Sequence, residues 1–120
     1  MDFTCELRQN SVAVAATTTS ATFTIRGGWC TAQIRLAATA AGTVGTQIVV
    51  AVTGLPAERQ TTYTNYCRGW CRYTDAGTAS YVAPIQFSSG VITPQSLGIT
   101  PSMAVASGDL LSIYLKYPVA

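Results

Sequence analysis

A period of two constrains this chain more than any other feature. Phe3, Cys5 and Leu7 alternate with Thr4, Glu6 and Arg8. Phe23 and Ile25 alternate with Thr22, Thr24 and Arg26. From Trp29 to Leu36, Cys30, Ala32, Ile34 and Leu36 share one face, and Thr31, Gln33 and Arg35 share the other. From Leu110 to Tyr117, Leu111, Ile113, Leu115 and Tyr117 oppose Ser112, Tyr114 and Lys116. Side chains of an extended strand point alternately to its two faces, so each run is a strand with one buried side. Residues 47–53 are apolar on both faces and predict a central strand. Weaker strands are expected at 61–66, 70–74, 79–87 and 102–106. The chain carries 18 Thr and 10 Val, which suit a pleated, half-buried surface.

Turn chemistry falls between these runs. Gly27-Gly28, Asp75-Ala76-Gly77-Thr78, Ser88-Ser89-Gly90 and Ser107-Gly108-Asp109 each supply residues that tolerate positive φ or bond their own backbone. Residues 37–46 are small and predict a longer loop, with a helical turn at 37–41 as the alternative. That turn has no cap and no apolar stripe. Thr93-Pro94 and Thr100-Pro101 bracket another loop, since proline cannot donate to a central ladder. The pattern is all-β: a single β-sandwich or jelly roll of about eight short antiparallel strands. It occupies residues 1–120 as one domain, with 1–10 as a candidate N-terminal arm. Val50, Val52, Ile113 and Leu115 are the expected core.

Charge narrows the function classes. Seven basic and five acidic residues give a net charge of +2, and charged residues make up only 10% of the chain. Six of the seven basic residues are Arg, and none forms a run. A nucleic-acid partner is therefore not expected, because phosphate recognition clusters Lys and Arg. There is no His, which removes His-based general acid–base chemistry and His-ligated metals. The carboxylates Asp2, Glu6, Glu58, Asp75 and Asp109 show no pairing, and Asp75 and Asp109 sit in turns, where a carboxylate bonds nearby N–H groups. The reading is non-enzymatic, with no cofactor. No apolar run approaches the ~20 residues of a membrane span, so no membrane partner is expected. The opening Met1-Asp2-Phe3-Thr4 lacks the basic start of a signal peptide, so synthesis in a cytoplasm is expected. So uncharged a surface favours burial in an assembly, hence a homo-oligomer.

Two groups of residues carry candidate chemistry. Cys5, Cys30, Cys67 and Cys71 allow two disulfides, free buried thiols or, with only one close spacing, a zinc site. The disulfide reading pairs Cys67 with Cys71 across a Gly-containing loop, and Cys5 with Cys30 across the sheet. The second group is the aromatic–arginine stretch Tyr63, Tyr66, Arg68, Trp70, Arg72 and Tyr73, with Trp29 near it. Such residues form protein interfaces, stack on sugar rings or bases, or fill a core and its rim.

Three segments together resemble a known family. They are the strand into a Gly-Leu-Pro turn at Ile48–Pro56, the turn and strand Ala106–Ile113, and the close Tyr114-Leu115-Lys116-Tyr117-Pro118. Their order is similar to small β-sandwich domains on tailed-phage virions, the capsid decoration and head- or tail-fibre proteins, over roughly residues 20–118. An Ala-, Thr- and Arg-rich, Lys-poor composition resembles that of actinobacteriophages. The resemblance implies a tumour-necrosis-factor-like jelly roll, a trimer, and a place on the virion surface. It implies a capsid decoration protein that binds and stabilises the assembled shell, with the major capsid protein or other virion proteins as partners. The alternative is a receptor-binding or fibre-tip domain that holds host-surface glycan.

Overall fold

The computed structural model describes residues 1–59 and 67–120. The described residues form nine strands: β1 (Thr4–Gln9), β2 (Val12–Ala13), β3 (Ala16–Arg26), β4 (Trp29–Ala38), β5 (Ile48–Thr53), β6 (Gly69–Asp75), β7 (Ala79–Ser88), β8 (Val91–Pro94) and β9 (Leu110–Pro118). All pair antiparallel in one sheet of order β2-β1-β5-β8-β7-β6-β9-β4-β3. The all-β class is as expected. The hydrogen bonding runs unbroken through all nine strands, and the sheet curls until its ends meet. At the seam the Phe3 N–H donates to the Ala21 carbonyl at 3.3 Å, and the Phe23 N–H to the Met1 carbonyl at 2.8 Å.

This seam corrects the expected N-terminal arm. Residues 1–3 lie along β3, residues 4–9 pair with β5, and Phe3, Leu7 and Gln9 are buried. The Phe3 ring meets Phe23 with centroids 6.0 Å apart. Two apolar side chains and a long amide are too much buried surface for a free arm.

Tight turns set the register. Asn10-Ser11, Gly27-Gly28 and Ser89-Gly90 all have positive φ at both central residues, the geometry whose twist matches that of the flanking strands. The doubly apolar segment is β5, placed between β1 and β8. Of the expected core, Val50, Ile113 and Leu115 are buried and Val52 packs partly buried against them.

Several expectations are corrected at this level. Ala37 and Ala38 end β4 rather than begin a loop or a helical turn. Thr93-Pro94 and Thr100-Pro101 do bracket turns at 95–101, but Pro94 itself ends β8, an inner strand. Pro84 sits inside β7, an inner strand, because its carbonyl faces the end of β8 and accepts from Gln95 N–H at 2.9 Å. Its missing donor therefore falls where β8 has already ended. Residues 102–106 form no strand. The Val105 N–H bonds the Gln9 side chain instead of a neighbouring strand. The strand expected at 61–66 lies outside the described residues.

Candidate functional site: an aromatic and arginine face

Strand alternation divides the aromatic–arginine stretch. In β6, Cys71 and Tyr73 point into the core, and Trp70 and Arg72 point out. Tyr73 is 1% exposed and its hydroxyl donates to Asp109, so it belongs to the core, not to an interface. Arg68 is also corrected: it is 6% exposed, and its backbone extends the ladder, donating to Ile85 and accepting from Lys116. Tyr63 and Tyr66 lie outside the described residues.

What stays outside is a face built from β7, β6, β9 and β4. Register places Val82, Arg72, Ser112 and Arg35 in one cross-strand row. The neighbouring row holds Pro84, Trp70, Tyr114 and Gln33. Trp70 is 50% exposed, Val82 70% and Leu110 50%. The Trp70 ring lies beside Tyr114 with centroids 6.4 Å apart and planes 22° apart. Gly69 permits this closeness. A Cβ there would run into the Tyr114 carbonyl oxygen, and its φ is +146°. Along the same face, Lys116 Nζ lies 5.5 Å from the Trp29 ring centroid. Between β6 and β3 the face dips into a groove of about 180 Å³, bordered by Gln33, Arg35, Trp70, Ser112 and Tyr114. The sequence singled out Trp70 and Arg72. It missed Gln33, Arg35, Ser112 and Tyr114, whose signal was only that they shared the polar faces of their strands.

The buried ionisable groups are used for structure. Asp109 accepts from the Tyr73 hydroxyl and from the N–H groups of Ala76 and Ala106, each 2.9 Å away. This is the turn-organising role read from its position. Burial, then the Asp109 hydrogen bond and charge, hold the Tyr73 hydroxyl far above its usual range. Gln9 has the matching role at the other end. Its Nε2 donates to the carbonyls of Thr46 at 3.0 Å and Met103 at 2.9 Å, and its Oε1 accepts from Val105 N–H at 3.0 Å. No buried side-chain N or O among the described residues lacks a partner.

All four cysteines are free thiols, which corrects both disulfides. Cys71 is buried, whereas Cys67 is exposed and its Sγ lies 3.2 Å from the Gly69 carbonyl. Four residues of extended chain span roughly 13 Å, beyond the ~7 Å that a disulfide can bridge. Cys5 and Cys30 belong to β1 and β4, which are not neighbours in the sheet. Burial pushes the Cys5 and Cys71 thiols up to about 11. Among the described residues no three of His, Cys, Asp or Glu come together as a metal site would require.

Among the described residues, fold and face together define an antiparallel all-β sheet with an aromatic and cationic outer surface. Comparison with protein-family models, curated proteins and solved structures finds no match to the chain.

Proposed function

We propose that this is a non-enzymatic virion surface protein, in its leading form a capsid decoration protein, and that the face around Trp70 is its contact surface. One observation carries the proposal. Trp70, Val82 and Leu110 stand half-exposed or more on three adjacent strands, with Arg72 among them. Large apolar side chains and Arg grouped on a rigid support are what protein interfaces use as anchors. Binding only the assembled shell would stabilise that shell by mass action. A cyclic homo-oligomer, a trimer by the resemblance, would present the face several times over.

The test uses particles that carry the protein. Val82→Ser with Leu110→Ser should weaken attachment and lower the temperature at which particles open, with the melting of the isolated protein unchanged. Attachment and particle stability equal to wild type would reject this face as the contact surface. A second reading, a receptor-binding domain for host-surface glycan, is favoured by the groove beside Trp70. There amide, hydroxyl and guanidinium groups border an open indole ring.

A further inference from the structure

We propose that the groove beside Trp70 binds an acidic pyranoside: a sugar ring bearing a carboxylate, at the end of a surface glycan. The proposal rests on reading the outer face as a contact surface and takes the glycan form of that reading to a ligand class.

Charge is the first argument. Arg72, Ser112 and Arg35 are direct cross-strand neighbours on β6, β9 and β4. Adjacent strands lie about 4.8 Å apart, so the two Arg backbones stand roughly 10 Å apart with Ser112 between them. Two guanidinium groups on stems of that length can both reach a carboxylate placed over Ser112. Neither Arg has an ion-pair or hydrogen-bond partner among the described residues. The outward residues of β4, β6, β7 and β9 include no acid. The nearest carboxylate along the neighbouring row is Asp2, which bridges Thr22 beyond Gln33. Two like charges held close with no counter-charge favour an anion between them, and Arg binds carboxylates bidentately.

Shape and polarity then select a sugar. Tyr114 lies beside the Trp70 indole, and Trp70 is half-exposed, so a sugar ring can reach it from solvent. The Gln33 amide and the Ser112 hydroxyl offer donors and acceptors beside it. A volume of about 180 Å³ is below the usual small-molecule pocket and suits one ring, not an extended chain. An acidic peptide would need several apolar anchors, and a groove of about 180 Å³ has room for one ring beside the polar ends of Gln33, Arg35 and Ser112.

The experiment is a glycan array probed with the whole protein, followed by calorimetry with a glucuronic acid-terminated and a glucose-terminated disaccharide. The acidic disaccharide should bind about tenfold or more tightly than the neutral one. Arg35→Gln and Arg72→Gln should each erase that preference, with melting temperature unchanged. Trp70→Ala should abolish binding of both. Equal binding of acidic and neutral sugars, no binding at all, indifference to both Arg substitutions, or equal displacement by a poly-glutamate peptide would each overturn the proposal. Particle attachment of the Val82 and Leu110 variant is scored separately. A loss there with no sugar binding rejects the sugar site and leaves the contact surface standing.

Discussion

Single residues hold this fold where strands alone would not. Asp109 joins β6, through Tyr73, to the turn at Ala76 and to the loop entering β9. Asp109→Ala would strand three donors, and each buried unsatisfied group costs about 1–3 kcal/mol. We expect urea unfolding to show a loss of about 3 kcal/mol or more, against a small loss for Asp75→Ala. The thiols and tyrosines set an alkaline limit. Burial raises Cys5 and Cys71 from 9.0 to about 11, and the Tyr73 and Tyr117 hydroxyls rise in the same direction. The folded chain thus keeps protons that the unfolded chain gives up above pH 9. Stability should be level below about pH 8 and fall as pH rises through 9 to 11, read as the urea midpoint. Stability that rises over that range would contradict the burial of these groups. Under native conditions iodoacetamide should label Cys67 and spare Cys71.

Elements meet through positions that only glycine can fill. At Gly69, β6 approaches β9 so closely that any Cβ strikes backbone, whereas at Gly77, with φ +77°, nothing lies within 4 Å. Gly77→Ala therefore meets only conformational strain, about 1 kcal/mol. Gly69→Ala must push β6 and β9 away from each other, and we expect a loss of about 3 kcal/mol or more with altered near-ultraviolet dichroism from Trp70. Equal losses at the two sites would mean that β6 and β9 are not in this register. The sheet edges are blunted. β2 has two residues, and the β3 ladder shifts register between Thr18 and Ser20. Short and bulged edges discourage strand addition, which favours the outer face over an edge as the contact surface.

At the scale of the molecule, the N-terminus closes the curled sheet. Deleting residues 1–9 removes Phe3 and Leu7 from the core and Gln9 from between two loops. A Cβ on Gly42 or Gly98 would collide with the Gln9 side chain or with the Thr46 carbonyl beside it, so those loops are shaped around that amide. We expect the truncated chain to be unfolded by circular dichroism at 25 °C, since typical domain stability is only about 5–15 kcal/mol. Ile113→Ala, in the same core, should cost about 2–5 kcal/mol, and Lys116→Ala little. A folded truncated chain would restore the arm.

Alternation by itself determined that the chain is all-β and which face of β1, β4 and β9 is buried, and an apolar run on both faces determined that β5 is an inner strand. These are local properties, set by side-chain direction every second residue. The two-residue turns at Gly27-Gly28 and Ser89-Gly90 were legible for the same reason. The short β2, the first half of β3 and β8 were not, because strands of two residues, Thr-rich strands and short Pro-ended strands show no apolar period and are held by their partners. A third of the candidate face was legible: Trp70 and Arg72 stood out by residue type. Gln33, Arg35, Ser112 and Tyr114 joined them only through the order β6-β9-β4, which brings residues 33 to 114 into neighbouring rows. Alternation within β6 turned Tyr73 away from the face and burial removed Arg68, whereas strand order kept Cys5 from Cys30. Strand order is decided by long-range packing, and no local period encodes it.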